Sequence, residues 1–144
     1  MRWEIKDWDL YKQSKEYVDT VVVPVVPLSL KNKQQLEKHE YLTLLSQELE
    51  KQLRGRLFLT PPLVYFFPEK QRLETDMNNW KEILSKHFTY IFFLTGEEVL
   101  KESQDVLWSP TIPIENMDQS LKKKVIQDQV AQILNILLQY WNSR

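Results

Sequence analysis

Cysteine is absent from this chain, and histidine occurs twice and glycine twice. Without a thiol there is no disulfide framework, no thiolate zinc or iron–sulfur site and no cysteine nucleophile, a composition that fits a reducing compartment. Two histidines far apart exclude a histidine-rich metal centre. Two glycines leave no G-x-G-x-x-G and no Walker loop, which excludes the usual dinucleotide and P-loop nucleotide sites. Charge of one sign is also missing. The 19 basic and 20 acidic side chains give a net charge of −1, so no nucleic acid partner is expected. The longest apolar-looking run, Val21 to Leu30, is broken by Pro24 and Pro27. It has about half the roughly 20 residues a membrane-spanning helix needs. Met1 to Trp8 is charged throughout and has no secretory h-region, and the expected location is the cytoplasm.

What is present is core-forming material. The chain has 144 residues, 42% of them hydrophobic, with five Trp, six Tyr and six Phe. That length suits one domain, and no linker, repeat or low-complexity stretch divides it, so residues 1–144 are expected to form a single α/β domain.

Periodicity supplies the elements. Leu10, Tyr11, Ser14, Tyr17 and Val18 lie near helical spacing. Thr20 to Val23 is a β-branched strand run that Pro24 is expected either to end or to let continue only as a bulged or edge segment. Asn32 and Gln35 have capping-box spacing ahead of Leu42, Leu45, Leu49 and Leu53 on one helical face, with Gly55 as a left-handed stop. A second strand region, 56–67, is divided by Pro61 and Pro62 into 57–59 and 63–67. A helix over about 69–86 carries Leu73, Met77, Trp80, Leu84 and His87. Tyr90 to Leu94 is apolar on both faces, as a central parallel strand is. A helical turn at 97–102 and extended segments at 106–108 and 111–114 follow. The last helix is expected to start at Asn116 and reach Trp141, with a wide stripe of Ile126, Val130, Ile133, Leu134, Leu137, Leu138 and Trp141. Strands alternating with helices predict a small, mostly parallel sheet of about four strands with helices on both faces.

The motifs that carry chemistry are few. His39-Glu40 opens like H-E-x-x-H, but Thr43 stands where the second ligand belongs, so His39 reads as a solvated residue. His87 reads as a helix-terminal cation. Its rival role, a general base, has neither nucleophile nor orienting carboxylate beside it. Thr95, Gly96, Glu97 and Glu98 follow the central strand, where open α/β sheets bind ligands. Their plainer reading is a capping box with acidic first-turn residues, which would repel a phosphate. Lys122, Lys123 and Lys124, flanked by Asp118 and Asp128, read as a solvated helix face. No catalytic residue, metal ligand or cofactor is assigned.

The whole chain, with Lys15 to Thr20 leading into Val21-Val22-Val23-Pro24, resembles the YpiF-like family of uncharacterised proteins from Bacillus-type bacteria. That resemblance implies a cytoplasmic protein of unknown activity. A second resemblance covers residues 21–98. Leu45 to Pro62, then Trp80 and Phe88 to Gly96, is similar to the amino-terminal α/β domain of TolB-type proteins. This chain lacks that family's signal peptide and β-propeller, so the resemblance implies the fold alone.

The leading functional expectation is a non-enzymatic accessory or protein-interaction module, a monomer or homodimer with another protein as its partner. Excess apolar width on the last helix makes Ile136 and Tyr140 candidate interface residues, unless the segment carrying Trp3 and Trp8 covers that helix. The alternative is a small-molecule or nucleotide sensor, with a crevice at the strand ends formed by Ser29, Glu69, Thr95, Gly96 and Glu115. An enzyme of unrecognised type ranks third.

Overall fold

The computed structural model describes residues 1–143. A short helix α1 (Ile5–Gln13) precedes strand β1 (Thr20–Pro27) and helix α2 (Lys33–Gln52). Strands β2 (Leu57–Leu59) and β3 (Leu63–Tyr65) lead to helix α3 (Lys70–Leu84) and strand β4 (Tyr90–Thr95). A 3-10 turn (Glu98–Leu100), strand β5 (Val106–Trp108) and helix α4 (Gln119–Asn142) complete the order. All ladders are parallel, in the order β2-β1-β4-β5, with β3 also paired to β1. The fold is therefore the expected α/β class, with five strands because the diproline splits one strand position in two.

Pro24 does not end β1: the strand continues to Pro27, paired beyond the proline with β3 alone. Val22 pairs with Leu59 on one side, and Val25 resumes pairing there with Leu63. Pro24 falls at the gap between them, opposite the Pro61-Pro62 break. The Val22 carbonyl accepts from the Thr60 amide, and two residues further on the Pro24 nitrogen faces that same side. Its missing donor thus costs no ladder bond, because the neighbouring strand is itself interrupted there. On the other side Pro24 keeps register with Leu94.

Side chains of β1 alternate between two cores. Val22 and Val26 join Leu45, Leu49, Ile133 and Leu137 under α2 and α4. Val21, Val23 and Val25 join Tyr11, Leu73, Met77 and Leu100 on the opposite face, under α1 and α3. Helices therefore cover both faces, and β4 is central, between β1 and β5.

Several expected details are corrected. Trp3 and Trp8 do not cover α4: Trp3 packs on Phe58, which belongs to the opposite core, while α4 packs against α2. Strand β3 stops at Tyr65, because β1 offers no partner beyond Pro27, and Phe66 and Phe67 are exposed. Residues 111–114 join no ladder, being preceded by Pro110 and interrupted by Pro113, although Ile114 reaches the core. Gly55 does not take a left-handed conformation; α2 closes at Leu53, whose amide is bonded to the Leu49 and Glu50 carbonyls. The α4 cap is Asp118, whose carboxylate accepts from the Leu121 amide at 2.7 Å, rather than Asn116. Asn32 does cap α2, accepting from the Gln35 amide at 3.2 Å.

Candidate functional site

The carboxyl ends of the strands gather Ser29, Glu69, Thr95, Gly96 and Glu115 onto one side of the molecule, each with its own partners. The Ser29 hydroxyl accepts from the Lys31 amide at 3.1 Å. Glu69 is the N-cap position of α3 without a side-chain capping bond. Glu115 pairs with Lys33 at 2.8 Å, and the hydrogen bond from that ammonium holds its carboxyl below the ordinary value. Thr95 is buried and accepts from the Glu97 amide at 3.1 Å, in place of a capping box with Glu98. Among the described residues, no hydrogen bond or ion pair joins one of the five to another. Gly96 is needed for packing: a Cβ there would lie 2.8 Å from the Ser109 carbonyl oxygen.

Beneath these residues lies polar chemistry that the sequence did not single out. The Tyr65 hydroxyl donates to Glu97 Oε2 at 2.5 Å, both groups buried. Burial first, then the hydrogen bond to the carboxylate, drives the Tyr65 hydroxyl far above its usual range, so it stays a donor. Tyr41 and Ser109 share a buried bond of 3.1 Å, and the Ser109 hydroxyl donates to Gln129 at 3.2 Å. The Trp108 indole N–H donates to the Glu97 carbonyl at 3.2 Å. Among the described residues no buried side-chain polar atom lacks a partner, so this network ties loops together. Tyr65 and Glu97 are 32 residues apart, and only the fold brings them together.

The opposite end of the sheet carries a different feature, an apolar cleft of about 480 Å³ between α1 and the last turn of α3. Its floor is a group of aromatic rings: Tyr11 meets Phe58 edge-on at 5.2 Å, and Phe58 meets Phe88 at 6.0 Å. Its walls are unusually exposed for apolar side chains: Trp3 is 64%, Trp8 53%, Ile5 92% and Ile83 62% accessible. Lys12 lies 4.5 Å over the Trp8 ring, and Lys15 lines the same rim. The Lys15 charge beside it lowers the pKa of Lys12. His87 stands at the edge as an exposed residue.

Local anchoring fixes where α1 begins. The Met1 amine is buried, 3.1 Å from Glu50 Oε2 and 2.6 Å from the Leu57 carbonyl. The Leu59 amide donates to the Met1 carbonyl, and Arg2 makes a parallel bridge to Leu59. Residues 1 and 2 thus extend the sheet beside β2, and α1 starts from that edge. A smaller polar hollow of about 250 Å³ lies between α3 and the loop before β5. There Lys81 pairs with Asp105, and Ser103 donates to Glu74 at 3.0 Å. Asp105 has φ 63°, a left-handed conformation that aspartate tolerates.

Of the interface residues expected on α4, Ile136 is 37% and Tyr140 43% exposed. Tyr140 also packs edge-on against Phe92 at 4.9 Å. No helix among the described residues is long and apolar enough to cross a membrane.

Comparison with known proteins gives two matches. A family described as "Protein of unknown function (DUF2487)" matches residues 9–141. The "Uncharacterized protein YpiF" of Bacillus subtilis (strain 168) is 36% identical over 149 aligned residues, covering 99% of each chain. No solved structure matches the chain. The TolB-type resemblance is not among these findings.

Proposed function

The chain belongs to the DUF2487 family, and from that premise we propose that it is a non-catalytic binding module whose binding element is the apolar cleft between α1 and α3. One observation carries this reading. Two tryptophans and two isoleucines stand exposed around a preformed aromatic floor, although burying them against the protein's own core would be favourable. Cavities of 300–1,000 Å³ with mainly apolar linings are the usual form of small-ligand sites, and 480 Å³ falls inside that range. In this reading the protein works in the cytoplasm, by occupancy of the cleft.

Titration with decanol, followed by thermal unfolding, tests the proposal. Ligand at ten times its dissociation constant stabilises by about 1.4 kcal/mol, or roughly 3–5 °C in a domain of this size. Ile83→Glu places a charge in the cleft wall at an exposed position, so it is expected to remove the shift without unfolding the protein. Equal shifts in both proteins would refute the cleft as the binding element.

A second reading uses the other face. Ile136 and Tyr140, 37% and 43% exposed and one turn apart on α4, support a contact with another protein chain. Ile136→Ala is expected to convert a dimer to a folded monomer by light scattering. A monomeric parent protein removes the homodimer form of this reading.

A further inference from the structure

Resting on the cleft reading above, we propose that the occupant is a small free amphiphile with an apolar tail and one anionic head, of the medium-chain carboxylate class, its head held by Lys12 and Lys15. Charge and size both select this class. The cleft lining is aromatic and aliphatic except at its rim, where Lys12, Lys15, Glu4 and His87 stand. Glu4, the one acid among the lining residues, is paired with Lys6 at 3.3 Å. Among the described residues neither Lys12 nor Lys15 belongs to an ion pair, yet the two ammonium groups are close enough for one to lower the pKa of the other. Two adjacent cations without a counter-ion, at the mouth of an apolar cleft, are complementary to an anion attached to an apolar body.

Size separates a small amphiphile from a protein helix. The cleft runs beside α1, which has nine residues and so spans only about 14 Å. That length accepts two to three turns of a partner helix, far short of the roughly 1,000 Å² that a specific protein contact needs. A flexible chain of about ten carbons needs no such area, and its carboxylate stays at the rim, where water and the lysines share it.

The test is a titration followed by the emission of the tryptophans, two of which line the cleft. The intact protein is titrated with decanoate, decanol and decyltrimethylammonium, each below its aggregation limit. Decanoate is expected to bind about three- to tenfold more tightly than decanol, the gain from two exposed ion pairs. High salt narrows that gap. The double variant Lys12→Gln, Lys15→Gln is expected to bind decanoate and decanol alike. If decanol and decanoate bind the parent protein equally, the head-group assignment fails and the apolar cleft stands. If decyltrimethylammonium binds tightest, the assignment is reversed. Absence of binding by all three overturns the cleft reading together with this one. Vesicles of anionic phospholipid form a separate arm: binding to vesicles without binding to monomeric decanoate overturns the free amphiphile in favour of a bilayer surface.

Discussion

A carboxylate with no solvent exposure survives only when its charge is matched, and Glu50 meets three cations. Arg2 donates to it at 2.7 Å, the Met1 amine lies at 3.1 Å and Arg54 at 3.2 Å. Burial pushes its pKa up, but the hydrogen bonds from Arg2 and the amine outweigh that, leaving it below its ordinary 4.5. A depressed carboxyl contributes stability above the ordinary carboxylate range and loses it as pH falls through the folded value. Glu50→Gln is therefore expected to cost about 3–5 kcal/mol near neutrality, as unpairing buried charges does. Melting curves from pH 6 to pH 3 should fall less steeply for this variant than for the parent; parallel curves would contradict the pairing. Tyr65→Phe tests the other buried acid. It strips the hydroxyl from Glu97 and is expected to cost about 1.5–3 kcal/mol in chemical unfolding, the value of a hydrogen bond to a charged group.

At the scale of elements, α4 locks one core. Ile133 and Leu137 are buried among Leu45, Leu49 and Val22, and Ile133→Ala is expected to cost about 2–5 kcal/mol by chemical unfolding. An unchanged midpoint would mean that α4 is not packed there. Gly96→Ala drives a methyl against the Ser109 backbone, where no flexible side chain can yield. An overpacking cost of about 1–3 kcal/mol follows. Most elements were legible in the sequence because periodicity reports which face is buried: Tyr90 to Leu94 had no polar face, and it is central. Pro24 left both a stop and an edge continuation open, because its missing donor matters only if a neighbour seeks it, and that neighbour lies 35 or more residues away in sequence. Ser29, Thr95 and Gly96 stand at or just after the ends of β1 and β4. Nothing local could reveal that Ser109 closes over Gly96 or that Tyr65 reaches Glu97. The cleft was invisible for the same reason. Trp3, Trp8, Ile83 and Phe88 converge only after α1 and α3 take their places on one face.

Over the whole molecule, the chain first crosses from β1 to β2 and β3 on one side, then to β4 and β5 on the other. Carboxyl ends beside such a reversal are where open α/β sheets ordinarily bind ligands. In this protein that end is filled by the Tyr65–Glu97 and Tyr41–Ser109–Gln129 contacts. The apolar cleft instead lies at the amino end, where α1 and α3 leave a gap between them. The two ends of the sheet are thus distinguished by where a ligand binds. Amide and indole chemical-shift mapping of the labelled protein, titrated with decanoate, reads both ends at once. Shifts concentrated at Trp3, Trp8, Phe58, Ile83 and Phe88 are the predicted result; shifts centred on Ser29, Thr95 and Gly96, with the cleft residues unmoved, would contradict it.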